Sequence, residues 1–415
     1  MPKVLIVEDS NFFSSVLMRG IEGTLGFEAV CVESYGAAQE LLAKSAGDFF
    51  MAFLDLNLGD APDGEVVDMV VETGLPAVVF TGDADQSRRD EFFHKGVVDY
   101  VLKDTPASIG YLIGLARRIY RNRNTKAMVV DDSRTARRHV GGLLARYQFD
   151  TFEAAHGPEA LAIIGEHPEM RLVVVDHEMP GMDGFELIRR IRSQFPPEKM
   201  VVIGISGGGG GLLSAKLIKY GANDFISKPF IEEEFLTRIN QNLDMLDSFE
   251  QVREAADMDF LTGLYNRRFL YQSGSKLVAN AQRSGANIVT AVIDIDHFKD
   301  INDSHGHDVG DQVLKQMGAF LKDRFREGDV VARTGGEEFC VLAVDMQEEA
   351  AFRTFEAIRT AAADLKVVAN GSTVSPTISI GVAKKPCDSL ETMISRADGL
   401  LYEAKQAGRD RVVAE

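Results

Sequence analysis

Cysteine is scarce in this chain: Cys31, Cys340 and Cys387 are the only three in 415 residues. Their wide spacing excludes a disulfide framework and a paired-cysteine metal site. That fits a reducing compartment, so a cytoplasmic location is expected. Long apolar runs are missing as well. No stretch approaches the roughly 18 apolar residues of a membrane span. The N-terminal MPKVLIVEDS has neither the basic nor the apolar segment of a signal peptide and reads as a strand, so no membrane insertion is expected. Basic charge is in deficit, with 45 Lys and Arg against 63 Asp and Glu and a formal net charge of −18. Such a surface argues against nucleic acid as a partner. Apolar residues are not in short supply: at 45% they suffice for real cores, and the length predicts about two to four domains.

The first half of the chain repeats itself. KVLIVEDS (3–10) returns as KAMVVDDS (126–133), and MAFLDLNL (51–58) as LVVVDHEM (172–179). PAVVFTG (76–82) matches MVVIGISG (200–207), and GVVDYVLK (96–103) matches GANDFISK (221–228). Short runs of Val, Ile and Leu alternate with helical patterns such as GAAQELLAK and GFELIRRIR. This alternation predicts parallel sheets covered on both faces, in two α/β units over 1–122 and 126–245.

Ligands of such folds gather at the carboxyl ends of the strands. Each unit places the same polar set there: an acidic pair (Glu8 and Asp9; Asp131 and Asp132), an aspartate (Asp55; Asp176), a hydroxyl (Thr81; Ser206) and a lysine (Lys103; Lys228). Any one of these residues taken alone is adequately explained as a helix cap. The recurrence of the whole set is not. Three clustered carboxylates repel one another and call for a hard cation such as Mg²⁺. With phosphoryl oxygens shielded, one aspartate can act as a nucleophile while the lysine and hydroxyl take the remaining oxygens.

These residues resemble the receiver domain of two-component response regulators, a flavodoxin-like fold, over residues 1–245. The resemblance implies Asp55 and Asp176 as phosphoacceptors and a histidine kinase or phosphotransfer protein as partner. It implies Mg²⁺ on the acidic pairs, with the backbone carbonyls of Asn57 and Glu178 completing each site. The second copy follows the family's pattern in DHEMPGMDG and Lys228-Pro229. The first reads DLNLGDAPDG, one residue longer between Asp55 and Gly64, and has Asp104 where proline is usual. Asp176 is therefore the favoured acceptor, and one copy can serve as an adaptor or dimerisation surface. Gly207–Gly211 lacks the GK[ST] of a P-loop and reads as a mobile loop after the switch hydroxyl Ser206.

Leu236, Ile239, Leu243 and Leu246 follow a 3-4-3 spacing that Phe249 and Val252 extend. Part of this is a receiver helix on its own sheet. The remainder predicts a helical linker over 246–258, open to coiled-coil pairing.

The third unit, over 259–415, has a different pattern. NIVTAVIDIDHFKDINDSHGHDVGDQVL (287–314) predicts an apolar strand ending at Asp294 and a helix starting near Gly310. DVVARTGGEEFCVLAV (329–344) predicts a hairpin around Gly335-Gly336. An α+β domain with helices on one side of an antiparallel or mixed sheet is expected. If the hairpin lies beside the first strand, Asp294 and Glu337 converge, with Lys299, Lys405 and Arg409 as nearby cations. Crowded carboxylates, a divalent metal and separate cations describe nucleoside triphosphate chemistry.

DFLTGLYNRR (259–268), DIDHFKDIND (294–303), HGHDVGD (305–311), GGEEF (335–339) and YEAKQAGRDRV (402–412) together resemble the GGDEF domain of diguanylate cyclases, a nucleotidyl-cyclase palm-like fold. The resemblance implies condensation of two GTP into cyclic di-GMP and two pyrophosphates by a homodimer. It implies Mg²⁺ or Mn²⁺ on Asp294, the Ile295 carbonyl and Glu337, with Glu338 near a second ion. Glu337 becomes the general base and Lys299 the stabiliser of phosphate charge. Lys405 and Arg409 would hold the triphosphate, while Asn302 and Asp311 would read guanine. REGD, from Arg326 to Asp329, resembles the family's RxxD site, implying cyclic di-GMP as inhibitor as well as product. Thr334 departs from the aromatic common before GGEEF. The alternative is a catalytically silent adaptor that binds GTP or cyclic di-GMP.

Overall fold

The apolar runs shared by the two repeats become the inner strands of two parallel sheets. The computed structural model describes residues 1–207, 210–369, 372–384 and 389–415. Gly208 and Gly209 of the glycine run, and Cys387, lie outside the described residues. The chain divides into two compact units, Met1–Phe249 and Glu250–Glu415.

In the first unit, β1 (Lys3–Val7), β2 (Glu28–Val32), β3 (Phe49–Leu54), β4 (Ala77–Thr81) and β5 (Asp99–Leu102) form a sheet of order β2-β1-β3-β4-β5. The second repeat reproduces it with β6 (Lys126–Val130), β7 (Asp150–Ala154), β8 (Leu172–Asp176), β9 (Val201–Ser206) and β10 (Asp224–Ser227), in the order β7-β6-β8-β9-β10. All pairings are parallel. Parallel strands need helical crossovers that cover both faces, so β3, β4, β8 and β9 are buried throughout, and their sequences run apolar without alternation.

The two repeats share one apolar cluster. Leu112, Leu115 and Ile119 of the helix Pro106–Asn122 join Val140 and Leu144 of the second repeat, and Phe235, Ile239 and Leu243 of the helix Glu232–Asp257. Polar groups at this junction are matched. The Tyr147 hydroxyl donates to the Val98 carbonyl at 3.0 Å, and the fully buried Asn122 amide donates to the Tyr147 carbonyl at 3.0 Å. Arg118 and Arg121 pair with Asp244, and Arg121 also with Asp247. Leu236, Ile239, Leu243 and Leu246 are thus receiver core, while Met245, Phe249 and Val252 of the same helix stay 60%, 51% and 69% exposed.

The second unit has a six-stranded mixed sheet: β11 (Tyr265–Asn266), β12 (Ile288–Ile295), β13 (Val330–Gly335), β14 (Glu338–Val344), β17 (Ile378–Ala383) and β18 (Val412–Ala414), ordered β11-β13-β14-β12-β17-β18. A small ribbon pairs β15 (Val367–Ala369) with β16 (Ser372–Val374). Helices cover both faces of the sheet rather than one. Val289, Ala291 and Ile293 of β12 pack with the helices His307–Lys322 and Glu348–Ala363. Ile288 and Val292 pack with Arg267–Ser284 and Leu390–Gln406. The reason is that β12, like a receiver strand, is buried at every position. The first of these helices begins at His307, three residues before the expected Gly310.

Candidate functional site

Each receiver pocket is assembled from three strand ends. Glu8 follows β1, Asp55 follows β3 and Lys103 follows β5; Asp131, Asp176 and Lys228 repeat the placement. Glu8, Asp9 and Asp55 bring ligand oxygens within 4.8 Å of one another, and so do Asp131, Asp132 and Asp176. Each triad has two buried acids and one exposed, an all-oxygen donor set that fits a hard divalent cation.

Each lysine bridges its acids. Lys103 Nζ lies 2.7 Å from both Glu8 and Asp55, and Lys228 Nζ lies 2.8 Å from Asp131 and 2.7 Å from Asp176. Burial raises the Glu8 carboxyl above its ordinary value; Lys103 opposes the shift and Asp55 adds to it. Burial likewise raises Asp176, with Lys228 opposing and Asp131 adding. For the Lys228 ammonium, burial acts downward, but hydrogen bonds to Asp131 and Asp176 outweigh it and the pKa is raised. The backbone N–H of Asn57 donates to Asp55 at 3.3 Å and that of Glu178 to Asp176 at 3.0 Å. Thr81 and Ser206 are buried at the ends of β4 and β9. The longer loop of the first copy closes on itself between Leu58 and Ala61. Its Asp60 accepts from the N–H groups of Tyr35 and Gly36 at 2.9 and 3.0 Å.

In the second unit the register of β12 against β14 places Asp294 opposite Glu338, and the Ile295 N–H donates to the Glu337 carbonyl at 3.3 Å. Lys405, near the end of the helix Leu390–Gln406, pairs with Asp294 at 2.8 Å. Asp294 is 5% exposed, and burial raises its carboxyl; Lys405 pulls it down, while Glu337 and Glu338 push it further up. Glu337 is half-buried at the turn and Glu338 exposed. Among the described residues only the receiver triads reach the 4.8 Å spacing, so Asp294, Glu337 and Glu338 form a wider set balanced by Lys405. The donor chemistry still fits a hard cation: the Asp294, Glu337 and Glu338 carboxylates are oxygen donors close enough to raise the Asp294 carboxyl.

Asn302 is half-buried on the helix Phe298–His305, while Lys299 beside it and Asp311 on the next helix are exposed. Arg409 is exposed in a turn of left-handed backbone, φ 61°, after the helix that carries Lys405. Arg326 is exposed, but Asp329 has structural partners: it accepts from the N–H of Arg326 at 3.0 Å and of Val344 at 2.9 Å. A cavity of about 290 Å³ adjoins both, lined in part by Met258, Tyr265 and Phe325. The Thr334 hydroxyl donates to the Glu338 carbonyl at 3.3 Å.

Two positioning residues were not found from the sequence. Asp296 is 3% exposed and accepts from Thr377 at 2.8 Å, Ser379 at 2.6 Å and the Asp410 N–H at 3.1 Å, tying β12 to the turn that carries Arg409. Arg333 spans from Asp259 to the carbonyl of Gly336, at the GGEEF turn. Asp259 and Arg333 sit inside or beside quoted motifs, which was the available signal; Asp296 reads as a helix cap.

The diguanylate cyclase GGDEF domain model matches residues 256–411, and the response regulator receiver domain model matches residues 127–240. Response regulator PleD of Caulobacter vibrioides is 30% identical over 318 residues, covering 74% of this chain and 69% of PleD. Diguanylate cyclase DgcP of Pseudomonas aeruginosa is 39% identical over 193 residues, 44% of this chain and 29% of that protein. A crystal structure described as a two-component system response regulator/GGDEF domain protein matches with TM-score 0.56 and 38% identity, over 60% of this chain and 100% of that one. With two sheets of receiver topology, acidic triads closed by a lysine and a GGEEF hairpin beside Asp294, the chain belongs to the response regulators that carry a diguanylate cyclase GGDEF domain, the family of PleD.

Proposed function

We propose that this protein is a phosphorylation-regulated cyclase that joins two GTP into cyclic di-GMP, acts as a homodimer and is inhibited by its product. Receivers over 1–122 and 126–245, a linker over 246–258 and a cyclase domain over 259–415 are the divisions of this reading. The observation that carries it is the approach of Asp294, Glu337 and Lys405 at the end of β12, where nothing in a purely structural hairpin requires them.

Asp294, the Ile295 carbonyl and Glu337 are the residues to hold Mg²⁺ or Mn²⁺, with Glu338 available to a second ion. When bound, such an ion draws charge from phosphate oxygens. The Glu337 carboxylate accepts the proton of the ribose 3′-hydroxyl. The resulting oxygen bonds to the α-phosphorus of the facing GTP as pyrophosphate leaves with the electrons of the broken P–O bond. Lys299 stabilises the charge that develops. Lys405 exchanges Asp294 for a phosphate oxygen as nucleotide enters, and Arg409 holds the same triphosphate. Asn302 and Asp311 select guanine by pairing acceptor and donor groups that adenine lacks.

One domain holds one GTP, so turnover needs two sites facing across a two-fold axis. Phosphorylation of the receivers, by a histidine kinase or phosphotransfer protein, changes their pairing and with it the effective concentration of one cyclase domain near another. Met245, Phe249 and Val252, spaced by four and three on one helix and exposed, support helix pairing between copies. Arg326 and Asp329 are assigned to product binding. Incubation of purified protein with GTP and Mg²⁺, with and without a phosphodonor, tests the reading. Cyclic di-GMP formed by the native chain and lost in Asp294→Asn supports it. No product under either condition overturns it in favour of a binding adaptor.

A further inference from the structure

The two receiver pockets carry the same acids and lysine, yet their lysines are held differently. Lys103 is 8% exposed at its side chain and Lys228 is 29% exposed. Two phenyl rings account for the difference. Lys103 Nζ lies 4.9 Å from the ring centre of Phe13 and 5.3 Å from that of Phe80, and the two rings meet edge to face at 5.5 Å. Aligning EDSNFF with DDSRTA and VVFTG with IGISG puts Ala136 and Ile205 at the corresponding places of the second receiver. Among the described residues Lys228 has no ring contact of this kind. Asp60 further ties the loop after Asp55 to the N-terminus of the helix Tyr35–Ser45.

Phosphorylation requires the lysine to let go of the aspartate. A carboxylate oxygen attacks phosphorus, a P–O bond to the aspartate forms, and the donor's bond to phosphorus breaks with its electron pair leaving on the donor. The lysine must then turn to the new phosphoryl oxygens. Lys228, partly exposed and free of rings, can do so. Lys103 would have to leave two cation–π contacts in a nearly closed pocket.

We infer that Asp176 is the phosphoacceptor of this protein and that Phe13 and Phe80 lock the first receiver in its lysine-neutralised form, leaving it a non-switching partner. The inference rests on reading both triads as receiver pockets but not on cyclase activity. Two cation–π contacts correspond to at least about tenfold in phosphorylation rate between the sites.

The test is phosphoryl incorporation into the full chain from acetyl phosphate and Mg²⁺, read by intact mass, with acetate as leaving group. Native protein and Asp55→Asn should gain one phosphoryl group, and Asp176→Asn none on the same timescale. Phe13→Ala should add a second group that disappears again in Phe13→Ala/Asp55→Asn. Ala136→Phe, which places one ring near Lys228, should slow incorporation about threefold, half the contact energy of the two rings on Lys103. Loss of label in Asp55→Asn, comparable labelling of both aspartates, or no label in native protein overturns the inference. Normal folding of each variant is checked by its circular dichroism. Cyclic di-GMP assayed in parallel separates the outcomes: label at Asp176 without product defeats the cyclase reading alone.

Discussion

Asp259 and Arg333 form an ion pair of 3.1 Å, and the same guanidinium donates hydrogen bonds of 2.9 and 2.7 Å to the Gly336 carbonyl. Asp259 follows the C-terminal end of the helix Glu232–Asp257, where Asn266 and Arg268 donate to the Ala256 carbonyl at 2.6 and 2.7 Å. Gly336 precedes Glu337. Charge-assisted bonds therefore connect Asp259, just past a helix end, to the turn that carries the residue proposed as metal ligand and base.

Arg333→Ala should accordingly impair turnover more than folding. Hydrogen bonds to charged groups contribute about 1.5–3 kcal/mol, and part of that loss appears as a misplaced turn. Turnover should fall roughly tenfold to a hundredfold, with a higher Mg²⁺ requirement, because Glu337 is no longer held against β12. Arg333→Lys keeps the charge beside Asp259 but not the fork to Gly336, so it should recover thermal stability and little turnover. Steady-state rates across a Mg²⁺ series check this. An unchanged Mg²⁺ dependence in a folded Arg333→Ala variant would assign Arg333 to packing alone.

Gly310 has a different reason for being small. A Cβ at this position would collide with the Asn302 side-chain oxygen and lie 3.3 Å from Phe298 Cζ. The Asn302 side chain would have to swing out, and overpacking of this kind costs about 1–3 kcal/mol. Since Asn302 is assigned to guanine, Gly310→Ala should raise the KM for GTP about tenfold while lowering kcat less. Nucleotide titration by calorimetry, beside kinetics, reads this directly; an unaltered GTP affinity would remove Asn302 from guanine recognition.

Much of the architecture was legible because buried parallel strands carry unbroken apolar runs, and β3 and β8 are buried at every residue. Edge strands escaped notice for the converse reason. β7, DTFEA, is buried only at Ala154, and β11 has two residues. The helices on both faces of the cyclase sheet follow from the burial of β12 along its whole length, which its acidic end at Asp294 conceals in the sequence. Within the site, charged residues inside motifs were found and their supports were not. Asp296 earns its place through Thr377, Ser379 and Asp410, more than eighty residues away, and no local spacing encodes that. The commitment of Asp329 to backbone N–H groups was hidden in the same way.

Asp99 makes the stability of the first unit depend on pH. It is 8% exposed, and burial raises its carboxyl, while hydrogen bonds from the Tyr111 hydroxyl and the Tyr100 N–H pull it down. A raised folded pKa means that the folded state keeps its proton at a pH where the unfolded chain has lost it. Between the ordinary carboxylate value of about 3.9 and the raised value, Asp99 therefore contributes less stability as pH rises. Asp99→Asn has nearly the same shape and no such proton. Relative to native protein, the variant should gain stability on going from about pH 4 to about pH 7, measured by urea unfolding. A variant that loses relative stability over this range would show that the ionised carboxylate is the favoured form.

Arg326 and Asp329 belong to one RxxD motif but should respond differently to mutation. The Arg326 side chain is exposed, and Asp329 staples the turn to β14 through two backbone N–H groups. Arg326→Ala should leave the melting temperature nearly unchanged, since exposed substitutions usually stay within about 0.5 kcal/mol. It should also raise the cyclic di-GMP needed for half-inhibition at least about tenfold, through loss of a charge-assisted contact. Asp329→Ala should relieve inhibition too, but at a cost of about 1–2 kcal/mol in stability from the two lost acceptors. Inhibitor titrations beside thermal melts separate the two effects. Inhibition that persists in a stable Arg326→Ala variant would place product binding elsewhere and leave Asp329 a purely structural residue.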